Sequence, residues 1–267
     1  MHSIVCVKPV PDPSRFDKLR LDPETMLLRR DEAPAVINPL DRGAIEAAVG
    51  LKRSLGGTVS ALTMAAPNAE EQLREALALG CDRAYLLTDK AFAGADTLAT
   101  ARCLHAAVRK IGRFDLLFCG GYSADGSTGQ VGPQLAELLG IPDLDFVFKL
   151  EVKRGRLRAT CRLDDGEAVC EADLPALVTI APQTGAPRLT PMRGIQGALR
   201  RKVTKWSAAD LRLAPKTVGL AGSPTRMLNI FTPPSNRKGE ILQGSADEAA
   251  EQLIEKLSLK AARGGAR

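Results

Sequence analysis

Short apolar runs alternate with helical patterns through the first half of the chain. Four runs predict buried strands, at residues 3–7, 58–63, 83–87 and 114–119. Apolar residues at helical spacing predict helices at 39–55, 69–79, 96–111 and 134–139. In the first helix Pro39 suits the first turn, and Asn38 is expected to cap it. Strands that alternate with helices indicate a doubly wound α/β fold with a mainly parallel sheet.

The pattern changes after residue 142. Residues 146–152, 156–162 and 167–172 predict antiparallel strands with turns at 153–155 and 164–166, and 174–180 predicts a returning core strand. Residues 181–244 are rich in proline, glycine and basic residues, with one short helix expected near 195–202. We therefore predict an α/β domain over 1–180, an extended partner-gripping arm over 181–244, and an amphipathic helix with a basic tail over 245–267.

Composition narrows the class of function. Hydrophobic residues make up 45% of the chain and aromatic residues only 4%, so a nucleic-acid surface built on stacked aromatics is not expected. The net charge of +6 includes basic clusters at 200–205 and 260–267. These clusters fit either a solvated face or a docking face for an acidic partner, with nucleic acid as a third and weaker option.

Cysteine and histidine usage argues against a metal centre. The chain has six cysteines without a Cys-x-x-Cys motif and only two histidines, so neither a zinc nor an iron–sulfur site is expected. Free cysteines in apolar patterns fit a reducing cytosol. The first residues lack the features of a signal peptide, and no apolar run is long enough to span a membrane. A cytoplasmic location without a membrane span is expected.

Polar loops follow several predicted strands. In a parallel sheet the ligand lies at the carboxyl ends of the strands, which here carry loops at 8–12, 63–67, 94–97 and 120–133, with 38–41 at a nearby helix start. Residues 120–133, the glycine-rich loop, are much longer than a plain connection needs. Its glycines let backbone N–H groups approach a ligand, and the following helix start favours phosphate.

The glycine-rich loop matches no common nucleotide motif. It has no lysine for a phosphate loop of the Gly-x-x-x-x-Gly-Lys type, and the first strand is not followed by Gly-x-Gly-x-x-Gly. Taken alone, the loop fits a nucleotide site and a structural loop about equally well. No nucleophile with a neighbouring base is evident, and His105 lies on a helix expected to be partly buried. The residues predict a nucleotide binder with no catalytic residues of its own.

Six motifs in one order give a more specific indication. The chain resembles the β subunit of electron transfer flavoprotein in the segments 7–12, 38–46, 76–83, 124–132, 174–179 and 186–206. That resemblance implies a fold of the adenine nucleotide alpha-hydrolase-like, Rossmann-like type with an antiparallel hairpin addition. It also implies a heterodimer with an α subunit that holds most of one FAD.

The resemblance further implies a second nucleotide within the β subunit. In conventional members it is a structural AMP, and in electron-bifurcating members it is a second FAD that accepts a hydride from NADH. The implied electron partners are a dehydrogenase or a quinone-reducing protein, and ferredoxin or flavodoxin. Carried over to this chain, the cofactor-binding residues are Lys8, Pro9, Val10, Asn38, Asp41, Thr63, Met64, Ala65, Asp96, Thr97, Ala124, Asp125, Gly126, Ser127, Thr128, Gly129, Gln130, Val131 and Gly132.

The bifurcating branch is the better match within this family. Residues 124–133, 92–97 and 219–225 are similar to that branch, although it often has aspartate where this chain has Ser127. We therefore predict FAD, with AMP as the alternative. The resemblance places partner docking at Gln183, Thr184, Gly185 and Arg188. The family often presents leucine where Thr184 stands, so the usual acyl-CoA dehydrogenase partner is in doubt.

Two other classes of function stay open. A stand-alone adenine-nucleotide-binding protein of the universal-stress type would share the sheet and the glycine-rich loop, but it would not explain residues 181–244. A structural scaffold with an empty pocket is the other alternative. Copurification with a flavoprotein subunit would exclude the stand-alone protein.

Overall fold

The computed structural model of this chain describes residues 1–18, 34–182, 189–226, 228 and 239–264. The docking residues predicted from the resemblance, which are Gln183, Thr184, Gly185 and Arg188, lie outside the described residues. Two compact units divide the chain, one from Met1 to Leu228 and the other from Asn229 to Arg267. No helix among the described residues is long and apolar enough to cross a membrane.

A nine-stranded sheet forms the centre of the first unit. Its strands, in spatial order, are β11 (Val203–Trp206), β5 (Arg83–Leu87), β4 (Thr58–Met64), β1 (His2–Cys6), β6 (Leu116–Gly120), β10 (Ala176–Ile180), β7 (Asp143–Lys153), β8 (Arg156–Arg162) and β9 (Glu167–Asp173). A separate antiparallel pair joins β2 (Pro9–Pro11) to β3 (Ala35–Ile37). The predicted sheet is therefore present, and the α/β fold class is confirmed.

The topology changes direction at β1. Strand β1 pairs in parallel with β4 on one side and with β6 on the other. The chain runs from β1 to β4 and β5, and then crosses back to β6 and β10. The connections on the two sides of β1 leave a crevice at the carboxyl ends of β1 and β6, where ligands bind in open α/β sheets.

Helices cover both faces of the sheet in the first unit. Their bounds are α1 Pro39–Leu55, α2 Glu70–Leu79, α3 Thr97–Ile111, α4 Val131–Leu139 and α5 Met192–Leu199. The first three agree with the predicted helices to within a residue or two. Helix α4 begins three residues earlier than predicted, because Val131, Gly132 and Pro133 already belong to its first turn. The last three residues of the glycine-rich loop therefore form the N-terminus of α4.

Two apolar clusters account for the burial of the sheet. One contains Ile45 of α1 and Leu73 of α2, and the other contains Leu104 of α3 and Leu135 of α4. Each of these four side chains is nearly or completely buried, at 5% exposure or less. Burial of both sheet faces explains why the central strands are continuous apolar runs rather than alternating ones.

The antiparallel addition lies beside β10. Strand β7 pairs in parallel with β10 and antiparallel with β8, which pairs antiparallel with β9. The three predicted antiparallel strands are thus confirmed.

The sequence pattern missed three strands, which are the short pair β2 and β3 and the edge strand β11. Val203–Trp206 forms β11, which pairs in parallel with β5 at the edge of the sheet. The short helix expected near 195–202 lies earlier, at α5, and packs on α2. A Cβ atom added to Gly194 would lie 2.1 Å from the Ala78 carbonyl oxygen, so only glycine permits this approach. The partner-gripping role of residues 181–244 stays a prediction.

The described residues of the second unit, 239–264, contain one helix, α6 (Ala246–Gly264). Ser245 and Glu248 form a reciprocal cap at its start. The Ser245 backbone N–H donates to the Glu248 carboxylate at 2.7 Å, and the Glu248 N–H donates to the Ser245 hydroxyl at 3.4 Å. Such a capping box satisfies two backbone donors that the first turn leaves without partners.

Candidate functional site

Asp41 is buried beneath the crevice at the carboxyl ends of β1 and β6. One of its carboxylate oxygens, Oδ2, accepts the Lys8 backbone N–H at 2.7 Å. The other, Oδ1, accepts the Gly120 N–H and the Asn38 side-chain amide, each at 3.0 Å. One buried carboxylate thus holds the chain just after β1, the end of β6 and the start of α1. We call Asp41, Asn38 and these two backbone groups the Asp41 clamp.

Asn38 extends the clamp into the glycine-rich loop. Its side-chain amide also donates to the Tyr122 carbonyl at 2.9 Å, and its Oδ1 accepts the Ala124 N–H at 3.1 Å. Asn38 occupies the N-cap position of α1, as expected, and its carbonyl accepts the Arg42 N–H at 3.0 Å, but its side chain makes no capping hydrogen bond. The reason is tertiary: the loop offers the amide better-placed partners, 84 and 86 residues away in sequence.

Lys8 and Asp125 form an ion pair across the same crevice. The Lys8 ammonium lies 2.7 Å from Asp125 Oδ1 and donates to the Ser123 hydroxyl at 3.0 Å. The Asp125 side chain is 1% exposed, whereas that of Lys8 is 41% exposed. The ammonium is therefore both anchored to the loop and reachable from solvent, which suits a group that meets a ligand phosphate.

Burial raises the pKa of Asp41 to about 6. The hydrogen bonds from Lys8, Asn38 and Gly120 and the charge of Lys8 oppose this rise but do not cancel it. At pH 7 the carboxyl group is therefore mainly ionised and accepts all three bonds. A proton on either oxygen would take away an acceptor, because a protonated oxygen has less capacity to accept.

The raised pKa of Asp41 predicts a pH-dependent stability. Because the folded chain holds this proton more tightly than the unfolded chain, the contribution of Asp41 to stability falls as the pH rises from about 4 to above 6. The loss is about 3 kcal/mol. Asn at position 41 cannot titrate, so Asp41→Asn lacks this pH dependence. We therefore expect the free energy of unfolding of Asp41→Asn, minus that of wild type, to rise by about 3 kcal/mol between pH 4 and a pH above 6, as measured by urea unfolding. A constant difference would contradict the raised pKa.

Glycines make the loop compact where backbone segments meet. Gly129 has a φ of +64°, and a Cβ atom there would lie 3.0 Å from the Gly121 carbonyl oxygen. At Gly132 a Cβ atom would lie 2.7 Å from the Thr179 methyl group. Ser127 also has positive φ, at +53°, and its N–H donates to the Ser123 carbonyl at 2.8 Å. The loop is thus a tightly folded cradle with several exposed polar residues.

Helix α4 begins where the glycine-rich loop ends, so the loop leads into a helix N-terminus. Val131 and Gly132 are its first two residues, and Pro133, the third, has no N–H. The N–H groups of the first turn have no acceptor within the helix, and the helix dipole adds partial positive charge at this end. The arrangement suits an anion such as a phosphate group.

Two buried oxygens nearby have no hydrogen-bond partner in the described part of the chain. They are the Thr63 hydroxyl, at the carboxyl end of β4, and Oε1 of Gln134, in the first turns of α4. A buried polar atom without a partner is unfavourable unless a ligand or water satisfies it. A hydroxyl and an amide oxygen can bind the hydroxyl and amino groups of a nucleoside, so these residues fit such a ligand.

Asp96 and Thr97 lie at the N-terminus of α3. Both Asp96 oxygens accept backbone N–H groups, Oδ1 from Ala99 at 2.9 Å and Oδ2 from Thr225 at 3.0 Å. The Thr97 hydroxyl donates to Gln130 Oε1 at 3.2 Å. Asp96 therefore joins α3 to the later segment 219–225, and Thr97 reaches the glycine-rich loop.

The remaining predicted residues line the same edge of the sheet. Pro9 and Val10 lie in β2 beside β3, and Met64 ends β4, with the Ala65 N–H bonded to the Leu87 carbonyl at 3.0 Å. The exposed residues of the loop are Tyr122, Gly126, Ser127, Thr128 and Gln130. The structure thus brings the predicted residues together, while their role as cofactor contacts stays a prediction.

Sequence reasoning missed two contributors to this arrangement. The Ser123 hydroxyl accepts a hydrogen bond from the Lys8 ammonium. The Gly120 backbone N–H donates to the Asp41 carboxylate, at a point where no side chain fits. Both lie in the glycine-rich loop, but their partners are more than 70 residues away along the chain. The spacing of the motif carries no signal for either contact.

Two thiols lie beneath the crevice. Cys6 ends β1 and Cys119 lies near the end of β6, both buried. A hydrogen bond with Cys6 and burial raise the pKa of Cys119 well above its usual value. Because the thiolate is the reactive form, Cys119 is not an activated nucleophile.

Comparison with known proteins identifies the family of this chain. Residues 25–211 match the model of the electron transfer flavoprotein domain. An electron transfer flavoprotein subunit beta from Thermoanaerobacterium thermosaccharolyticum is 42% identical over 97% of this chain and 98% of its own length. Protein FixA from Bradyrhizobium diazoefficiens is 42% identical over 97% of this chain and 92% of its own length. The caffeyl-CoA reductase-Etf complex subunit CarD from Acetobacterium woodii is 38% identical over 97% of this chain and 99% of its own length.

Proposed function

This chain belongs to the electron transfer flavoprotein family as a β subunit, and we propose that it holds a second FAD in the crevice between β1 and β6. The observation that carries the proposal is the Asp41 clamp, which fixes the glycine-rich loop against Lys8 and leaves the first turn of α4 facing the same crevice. An ammonium group, a helix N-terminus and glycines in close contact are suited to a diphosphate.

The residues around the crevice would hold that nucleotide in different ways. Lys8 would neutralise phosphate charge, and the backbone N–H groups of Val131 and Gly132 would donate to phosphate oxygens. The buried Thr63 hydroxyl and Gln134 amide oxygen would take polar groups of the nucleoside. Asp41 would act mainly through the loops that it joins, because its carboxylate already accepts three hydrogen bonds from the chain.

A bound FAD would supply an isoalloxazine ring able to accept a hydride from NADH and to release electrons one at a time. We propose that one electron goes to a high-potential acceptor through the FAD of the α subunit, and the other to ferredoxin or flavodoxin. The protein's contribution is to position the cofactor and its partners.

Two separated motifs favour the bifurcating type over a simple carrier. The segments 92–97 and 219–225, both similar to that branch, pack against each other. The Leu220 N–H donates to the Ala93 carbonyl at 2.9 Å, and the Asp96 N–H donates to the Ser223 hydroxyl at 2.8 Å. The relative named as part of a caffeyl-CoA reductase-Etf complex is consistent with this type. The alternative is a conventional subunit with structural AMP.

The nucleotide content of the complex tests the proposal. The chain would be coexpressed with its α subunit, and the nucleotides released on denaturation would be quantified by chromatography and mass. Two FAD molecules per heterodimer are expected, with NADH oxidation as the next assay. One FAD and one AMP would establish the conventional alternative. A chain that purifies alone with a bound adenine nucleotide would favour the universal-stress type instead.

We propose that the exposed face of α5 docks a dehydrogenase with an acidic rim. Met192 and Leu199 are 70% and 68% exposed on the same face as Ile195, and Leu189 just before the helix is also exposed. No acidic residue lies between Asp173 and Asp210, and that stretch includes the basic cluster 200–205. Lys205 of this cluster pairs with Glu70 at 2.8 Å, so the charged rim is mainly rather than wholly basic. An apolar stripe with such a rim suits a partner of opposite charge.

Substituting the stripe should weaken electron transfer to that partner. We expect the double variant Met192→Ser with Leu199→Ser to reduce kcat/KM for the partner dehydrogenase about tenfold, mainly through KM, because a docking surface loses its apolar anchors. Nucleotide content should not change. Val169→Ser, which removes an apolar residue of β9 that is 59% exposed, is the control. Equal effects of the two changes would contradict docking at α5.

A further inference from the structure

Phe146 has an unfavourable backbone conformation within strand β7. Its φ is +51°, in the left-handed region that bulky apolar residues rarely occupy. In the described part of the chain three other residues besides glycine have positive φ, namely Ser127, Arg154 and Arg212, and all three lie in turns or loops. Phe146 differs from them because it lies inside a strand and has an aromatic side chain.

Hydrogen bonds from neighbouring residues hold this conformation in place. The Phe146 N–H donates to the Thr179 hydroxyl at 2.9 Å, and that hydroxyl donates to the Asp145 carboxylate at 2.9 Å. The pairing of β7 with β10 shifts at the same point, so that Leu144 pairs with Val178 but Val147 pairs with Ile180. Between these two pairs β7 advances by three residues and β10 by two, so β7 contains a β-bulge. Bulges often redirect a side chain near an active site.

The bulge brings the Phe146 ring to the start of the glycine-rich loop. A Cβ atom on Gly121 would lie 2.9 Å from Phe146 Cε1, so the ring rests directly on the Gly121 backbone. Phe146 is nevertheless 37% exposed. The ring therefore covers one side of the loop at the carboxyl edge of β6 and β10, and part of it stays open to solvent.

Packing within the chain does not explain this choice of residue. Glycine would adopt the same positive φ without strain, and a half-exposed ring contributes only part of its apolar area to the core. Strained residues that the surrounding structure over-determines are characteristic of ligand sites. The ring is flat, apolar and next to the loop that the proposed function assigns to a nucleotide.

From this geometry we infer that Phe146 forms a wall of the nucleotide site and stacks on a planar heteroaromatic ring of the ligand. This inference rests on the proposed function and extends it, because no motif of the sequence includes Phe146. The planar ring could be the adenine, which AMP and FAD share, or the isoalloxazine, which FAD alone has. An aromatic side chain that stacks on such a ring contributes about 1–3 kcal/mol to binding, or roughly five- to 150-fold in affinity.

Two substitutions of Phe146 and one matched control test this inference. Phe146→Leu keeps an apolar side chain but removes the flat ring, and Phe146→Gly also relieves the positive φ. Phe148→Leu is the control, because Phe148 lies two residues along the same strand, with its ring 5.4 Å from the Arg162 guanidinium. Each variant would be coexpressed with the α subunit and freed of nucleotide. AMP and FAD affinities would then be measured by equilibrium dialysis, with the FAD of the α subunit counted as the first equivalent.

We expect both Phe146 variants to bind nucleotide about tenfold more weakly, and Phe148→Leu to bind like wild type. A loss for AMP and FAD alike would identify adenine as the stacked ring. A loss for FAD alone would identify isoalloxazine, and the absorption spectrum of the bound flavin should then shift as well. The melting temperature of Phe146→Gly should stay within about 4 °C of wild type, because the relieved strain offsets the lost ring contacts.

Several results would overturn the inference. Affinities within twofold of wild type in both Phe146 variants would reject it while leaving the proposed nucleotide site intact. An equal loss in Phe148→Leu would attribute the effect to the strand rather than to the ring. A large fall in melting temperature with normal affinity would make Phe146 a structural wedge. If wild type itself bound neither nucleotide, the proposed function would fail, and the inference with it.

Discussion

Replacing Gly120 with alanine is expected to weaken nucleotide binding at least tenfold and to lower the free energy of unfolding by about 3 kcal/mol. A Cβ atom at this position would lie 2.3 Å from Asp41 Oδ1 and 2.8 Å from the Leu40 Cβ. The carboxylate would have to leave its place, and its hydrogen bonds to Gly120 and Asn38 would be lost. The effect should therefore reach Ala124 and the glycine-rich loop through Asn38.

Gly50→Ala is the matched control for this substitution. Gly50 lies in α1, the same helix that carries Asp41, and a Cβ atom there would have no neighbour within 4 Å. Alanine is more favourable than glycine inside a helix by up to about 1 kcal/mol, so this variant should be as stable as wild type or more so. Urea unfolding and nucleotide dialysis measure both effects. Normal nucleotide affinity in Gly120→Ala would show that the clamp does not shape the site.

Replacing Asp41 with alanine should lower stability and nucleotide affinity by a comparable amount, because it removes the carboxylate that Gly120→Ala would displace. It leaves the backbone N–H groups of Lys8 and Gly120, and the amide of Asn38, without the acceptor that they share. Each buried donor that loses its partner costs about 1–3 kcal/mol, and removal of a desolvated charge offsets part of the sum. We expect a loss of about 2–4 kcal/mol in the free energy of unfolding at pH 7.

Nucleotide binding separates this prediction from a general loss of stability. At low urea concentration, where Asp41→Ala is still folded, its affinity for FAD should be at least tenfold weaker, because the two loops are no longer joined. The double variant with Gly120→Ala tests the shared mechanism. Its loss of stability should be clearly smaller than the sum of the two single losses, because both act on one carboxylate. Strictly additive losses would contradict a common clamp.

The sequence predicted the alternating part of the fold well, for a local reason. Each central strand is a short apolar run and each helix has apolar residues at a spacing of three or four, so the signal lies within the element itself. Strand β11 was missed because its four residues, Val203–Trp206, mix polar and apolar types next to a basic cluster. Only pairing with β5 makes them a strand.

The candidate site was predicted as a set of loops but not as a network. The rule that ligands lie at the carboxyl ends of parallel strands was enough to choose the chain around Lys8, Asn38, Thr63 and the glycine-rich loop. Which of these residues touch each other depends on distances between strands far apart in sequence. Asn38 shows the limit, because its position before Pro39 is typical of a helix cap, yet its side chain binds the loop.

The sequence by itself determined the type and order of the alternating central elements, the family and the loops that gather at one edge of the sheet. These depend on local periodicity and on residue types in ordered motifs. The tertiary structure alone decided that Asp41 is buried beneath the loops, that Gly120 must lack a side chain, and that a bulge turns Phe146 toward Gly121. Contacts of this kind join residues tens of positions apart, and close packing, rather than any local pattern, determines them.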